Sequence, residues 1–199
     1  AAITECSDVT LEAVGINPTR TGVIEILKQM GADITVENER IAGGEPIADI
    51  RIQGTRTLKG IHMPEDQVPL AIDEFPALFI AAACAEGRTV LTGAAELRVK
   101  ESDRIQVMAD GLKTMGIDCT PTDDGIIIEG KGKSGEWDAI FTGGEIESHH
   151  DHRIAMSFSM AGLRTSGEIK IVGTETVATS FPTFTELATE AGLAIQVTE

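Results

Sequence analysis

The stretch LRVKESDRIQVMADGLKTMGIDCT, residues 97–120, decides how this chain is read. It opens on a dense run of charge in Arg98, Lys100, Glu101, Asp103 and Arg104. An amphipathic helix is predicted from about Asp103 to Met115, because Ile105, Met108, Leu112 and Met115 follow helical spacing. Gly116 stands where a left-handed C-terminal cap belongs, and Ile117–Thr120 reads as a strand. A strand at Thr89–Thr92 precedes it all. The same plan occurs twice more. Val9–Val14, the helix Gly22–Met30, Gly31 and Asp33–Val36 make one copy. Ile169–Val172, a helix from about Pro182 to Ala191, Gly192 and Leu193–Val197 make the other.

A second type of helix alternates with the first. Asp73–Ala85 and Asp151–Leu163 are nearly apolar all round, which predicts burial. Short strands at Ala48–Ile52 and Gly125–Glu129 lie between the repeats, and Gly43-Gly44 and Gly143-Gly144 read as turns. The unit is roughly βαβαββ, used three times, and the fold class is α/β. The opening residues Ala1–Ser7 look like the tail of a helix. The expectation is that residues 1–199 form a single C-terminal domain of a longer protein.

The bulk chemistry narrows the function. The chain has 32 acidic and 16 basic residues, a formal charge of −16. That repels nucleic acid and anionic membranes. With no tyrosine and one tryptophan, little is available for base stacking. No apolar window approaches the roughly 20 residues of a membrane span, and no signal peptide is visible. Cys6, Cys84 and Cys119 are odd in number and far apart, so they read as reduced, buried thiols of a cytoplasmic protein.

Arginine in the first turn of a helix faces unpaired N–H groups and the positive end of the dipole. Arg104 and Arg153 both occupy such places, which points to an anion site. Asp73, Lys100, Glu101 and Thr179-Ser180 also lie at predicted helix starts. If the repeats pack alike, these starts converge on one side. Plainer roles exist for each. Asp73 and Asp151 could be N-caps, Arg153 a solvated charge, and Glu101 with Arg104 a local ion pair. Lys100 and Arg104 share a face only if the helix already includes Lys100. His149, His150, Asp151 and His152 have the composition of a metal site, but adjacent side chains point apart, so no metal is assigned. A histidine that orients or protonates a phosphate fits better. His62 reads as structural. Nothing suggests covalent catalysis.

Five motifs occur together and in order: Asn17–Gly22 (NPTRTG), Ala71–Pro76 (AIDEFP), Leu97–Arg104 (LRVKESDR), Asp151–Met156 (DHRIAM) and Ala178–Pro182 (ATSFP). In them the chain resembles the C-terminal domain of the 5-enolpyruvylshikimate-3-phosphate synthase family over essentially its whole length. The resemblance implies one domain of the enolpyruvyl transferase fold, an inside-out α/β barrel of three βαβαββ repeats with helices inside, that closes on a missing N-terminal domain. It implies transfer of the enolpyruvyl group of phosphoenolpyruvate to the 5-hydroxyl of shikimate 3-phosphate, without cofactor or metal. By resemblance Asp73 accepts the hydroxyl proton and Glu101 serves proton transfer at the methylene carbon. Lys100 lies near the reacting centre, Arg104 and Arg153 hold phosphoenolpyruvate, and His152 supports the site. Two departures stand out: Thr179 occupies a position where some members have lysine, and Glu96 one where some have asparagine. The competing readings are a UDP-N-acetylglucosamine enolpyruvyl transferase, against which LRVKESDR argues, a nucleic-acid-end enzyme on similar repeats, and a non-catalytic domain that pairs with a partner.

Overall fold

In the computed structural model, which describes residues 1–55 and 57–198, the chain alternates strands and helices throughout. Strand β1 (Asp8–Gly15), helix α1 (Gly22–Gln29), β2 (Asp33–Ala42) and β3 (Glu45–Gln53) come first. They are followed by α2 (Phe75–Ala83), β4 (Glu86–Leu91), α3 (Arg104–Thr114), β5 (Cys119–Thr122) and β6 (Gly125–Lys131). Then come β7 (Gly144–Glu147), α4 (His152–Ala161), β8 (Ile169–Val172), α5 (Glu175–Ser180) and α6 (Phe184–Glu190). The sheets are ordered β1-β3-β2, β4-β6-β5 and β7-β8. The first two are antiparallel, and β7 runs parallel to β8.

The repeat is real in its first two copies. The orders β1-α1-β2-β3 and β4-α3-β5-β6 match, with the last strand of each copy in the middle of its sheet. The expected glycine caps are present: Gly31, Gly116 and Gly192 have φ of 93°, 83° and 97°. Only glycine takes that region without steric cost. A βα pair also recurs, because Lys59 and His62 bridge in parallel to β4 across α2, as β7 does to β8 across α4.

The third copy differs from the sequence reading. Leu193–Val197 forms no strand, while the helix expected from about Pro182 is present as α6 (Phe184–Glu190), preceded by an unpredicted short helix, α5. Alternating apolar residues make a strand only where a neighbour supplies the ladder, and here none pairs with them. Ala1–Ser7 forms turns rather than a helix tail, Gly143-Gly144 leads into an unpredicted β7, and Cys6 is exposed. Cys84 and Cys119 are buried as expected, and desolvation pushes their thiols up to about 12 and about 11.

Both apolar helices are inside. In α2 every residue but Ala77 is buried, including Phe75 and Phe79 with ring centroids 5.9 Å apart. Such a phenylalanine contributes about 1.5–3 kcal/mol by burial. Helix α4 packs on α2, and α3 touches both. The α3–α4 contact closes on Gly111, where an added Cβ would lie 2.3 Å from the Phe158 ring. Gly111→Ala should therefore destabilise the domain by about 1–3 kcal/mol through overpacking. Urea unfolding of the variant measures this, and an unchanged midpoint would show that the ring can move aside.

Candidate active site

The starts of α2, α3 and α4 meet at one end of the helical layer, and the charged motifs lie there. In LRVKESDR each side chain has a separate job. Leu97 is buried, and Arg98 donates to the carbonyls of Thr122 and Asp123 and to Asp103. Asp103 caps α3 by accepting from the Gln106 N–H at 3.0 Å. Helix α3 thus begins at Arg104, and Lys100–Asp103 lie before it. Lys100 and Arg104 do not share a helix face. Lys100 pairs instead with Glu96, one of the two departures from the family pattern.

Arg104 is only 1% exposed, and Asp151 is fully buried. Arg104 Nε donates to Asp151 Oδ2 at 2.8 Å, and Ser102 Oγ donates to the same oxygen at 3.0 Å. Arg104 Nη2 donates to Glu101 Oε2 at 2.6 Å, and Nη1 reaches Asp73 Oδ1 at 3.5 Å. Asp151 also caps α4, since its Oδ1 accepts from the N–H groups of Arg153 and Ile154. The plainer readings of Asp151 as a cap and of Glu101 with Arg104 as a local pair are both correct. The cap reading of Asp73 is not, because Glu74 is the N-cap residue of α2 and its side chain makes no capping bond.

Arg153 Nη1 donates to the main-chain carbonyl of Asp73 at 3.0 Å, and its guanidinium lies 3.8 Å from Asp73 Oδ2 and 3.6 Å from Glu74 Oε1. Arg20, from the NPTRTG loop, donates to Asp73 Oδ2 at 3.2 Å. The structure therefore joins Asp73, Glu101, Arg104 and Arg153 in one network. Lys100 and His152 stand outside it. Lys100 is held by Glu96, and the side chain of His152, the first residue of α4, makes no hydrogen bond among the described residues. Three members had no assigned site role from sequence: Arg20, Glu74 and the buried Asp151. The buried pairing of Asp151 has no local signal.

Three guanidiniums (Arg20, Arg104, Arg153) face four carboxylates (Asp73, Glu74, Glu101, Asp151). An arriving anion must take donors already engaged. His150 and Thr179 lie elsewhere: His150 Nδ1 is 3.0 Å from Glu175, and Thr179 is exposed near the end of α5. His62 sits on the surface 3.4 Å from the Thr92 hydroxyl.

The family model for EPSP synthase (3-phosphoshikimate 1-carboxyvinyltransferase) matches residues 1–187. The chain belongs to this family. It is 63% identical over 196 residues to the 3-phosphoshikimate 1-carboxyvinyltransferase of Nitrosococcus oceani, covering 98% of this chain and 42% of that protein. The same identity holds over 197 residues with the protein of that name from Methylococcus capsulatus, covering 99% and 43%. A solved EPSP synthase from Acinetobacter baumannii matches with a TM-score of 0.99 and 88% identity, over 100% of this chain and 45% of that one. The enolpyruvyl transferase NikO from Streptomyces tendae matches at TM-score 0.69 and 18% identity over 99% of this chain and 42% of its own, a likeness of fold alone. The chain thus has the mixed α/β enolpyruvyl transferase fold and spans less than half the length of these EPSP synthases. Among the described residues no helix is long and apolar enough to cross a membrane.

Burial raises the Asp151 carboxyl, but the Arg104 ion pair and the bonds from Ser102 and the Arg153 N–H outweigh it and hold the group below its usual range. The folded value lies under the unfolded one near 3.9, so this stabilisation is present above about pH 4 and is lost as pH falls through the folded value. Asp151→Ala should cost about 3–5 kcal/mol by leaving Arg104 buried with its one fully buried carboxylate partner gone. Unfolding measured at neutral pH and again below pH 4 should show a large deficit that narrows in acid. An equal deficit at both would sink this account.

Proposed function

We propose that this chain is the C-terminal catalytic domain of a two-domain, cytoplasmic EPSP synthase. The enzyme moves the enolpyruvyl group of phosphoenolpyruvate to the 5-hydroxyl of shikimate 3-phosphate and releases phosphate. The observation that carries the reading is the single network of Asp73, Glu101, Arg104 and Arg153 at three converging helix starts, in a chain of this family. Phosphoenolpyruvate brings a carboxylate and a phosphate, which suit the forked donors of Arg104 and Arg153. The carboxylates they now hold are oxyanions, as those groups are.

The roles follow the chemistry. Asp73 takes the proton of the 5-hydroxyl as its oxygen bonds to C2 of phosphoenolpyruvate. Glu101 delivers a proton to the methylene carbon, which gives a tetrahedral intermediate. Phosphate leaves when its own C2–O bond breaks, taking up the proton that Asp73 accepted, as a proton returns from the methyl group to Glu101. Both carboxylates flank Arg104, within reach of one ligand. Lys100 reaches the reacting centre once it leaves Glu96, and His152 supports Arg153. Closure of the remainder of the protein over this end excludes water and strengthens each charge contact.

Phosphate release is the direct assay. Residues 1–199 alone, given both substrates, should release none, while the longer enzyme should. In that enzyme Asp73→Asn and Glu101→Gln should each lower kcat by roughly 10²–10⁴-fold. Turnover by the 199-residue chain alone would refute the two-domain requirement, and full activity in both variants would refute the assigned roles.

A further inference from the structure

Arg20 and Glu74 belong to the ion-pair network, yet the roles proposed above use neither. Glu74 begins α2 without capping it. Its Oε1 lies 3.6 Å from Arg20 Nη2 and 3.6 Å from Arg153 Nη1. Its Oε2 is buried and has no hydrogen-bond partner among the described residues. A desolvated carboxylate oxygen with no donor is costly. The compensation lies on the other oxygen, between two guanidiniums.

Arg20, Asp73, Arg153 and Glu74 close into a ring of alternating charge. Arg153 is anchored by its 3.0 Å bond to the Asp73 carbonyl and stays 3.8 Å from the Asp73 carboxylate. A guanidinium beside one free carboxylate closes into a two-bond fork. Here a second carboxylate, Glu74, competes for Arg153, and a second guanidinium, Arg20, occupies Asp73 Oδ2.

We propose that Arg20 and Glu74 are positioning residues: Arg20 fixes the Asp73 carboxylate, and Glu74 holds Arg153 off it. The base and the anion-binding cation then stand side by side without neutralising each other. This rests on the roles proposed above for Asp73 and Arg153. The charged groups around Asp73 are Arg20 from the loop before α1, Arg104 from α3, Arg153 from α4 and Glu74 on its own helix, with Glu101 and Asp151 acting through Arg104. His152 stands next to Arg153.

The test compares Glu74→Gln, Glu74→Asp, Arg20→Gln and Arg20→Lys in the full-length enzyme. Glu74→Gln should raise KM for phosphoenolpyruvate about tenfold with a smaller change in kcat, the split expected when ground-state anion binding is lost. Arg20→Gln should lower kcat about tenfold with little change in KM for phosphoenolpyruvate, since the Asp73 carboxylate is no longer held in place. Arg20→Lys and Glu74→Asp should recover part of each effect. Changes in melting temperature alone, with kcat and KM as in wild type, overturn the proposal. A crystal structure of the full-length Glu74→Gln enzyme decides the ring independently of activity. Arg153 should close onto the Asp73 carboxylate in a two-bond fork, and an unmoved Arg153 overturns the ring. Failure of the wild-type enzyme to release phosphate defeats the transfer reading and leaves that structure to judge the ring.

Discussion

The buried ion pair between Arg104 and Asp151 is the constraint on which the rest of this domain depends. Removing a guanidinium and a carboxylate from water costs several kcal/mol for each ion, and only good geometry and complete hydrogen bonding offset it. Arg104 and Asp151 achieve this through a 2.8 Å bond, the Ser102 hydroxyl and two N–H groups of α4. Asp151 thus caps one helix and neutralises the first residue of another. The starts of α3 and α4 are tied together, and Asp73 brings in α2. Lower down, the same two helices are fitted by Gly111 against Phe158. Polar pairing at one end and close packing along the length fix a single arrangement of the layer.

The same pairing settles what an acidic protein can do with an anion. A free arginine at a helix start would face the positive end of the dipole unopposed. Here each guanidinium of the network rests on carboxylates. Under the proposed function, anion binding is an exchange of one oxyanion for another, so the guanidiniums need not be desolvated afresh. The four carboxylates outnumber the three guanidiniums, which disfavours that exchange unless further cations come from outside this chain. Glu96 acts in the same direction by holding Lys100.

How much of this the sequence revealed depends on the range of the interaction. The helices α1, α2, α3 and α4 and their glycine caps follow from local periodicity and backbone preference, and those were legible. So were the candidate residues at helix starts, because LRVKESDR and DHRIAM are contiguous. The partners were not, since Arg104 and Asp151 lie 47 residues apart and Arg20 and Asp73 lie 53 apart. Leu193–Val197 failed for the reason that strands generally fail: a strand exists only beside another, and alternation cannot report a neighbour.

In the run Ser148-His149-His150-Asp151 the distinguishing feature is in the backbone: His149 and His150 have φ of 53° and 58°. Two consecutive left-handed residues are unfavourable for side chains other than glycine, by roughly 1–2 kcal/mol each. Such strain persists only where surrounding structure enforces it. The Ser148 hydroxyl is buried 2.8 Å from the carbonyls of Val172 and Gly173, and the Asp151 N–H donates to the Ser148 carbonyl at 3.0 Å. At Gly173 an added Cβ would lie 2.8 Å from the Glu147 carboxylate. The tight loop between β7 and α4 thereby turns Asp151 inward beneath Arg104. Its strain is accounted for by the ion pair it delivers.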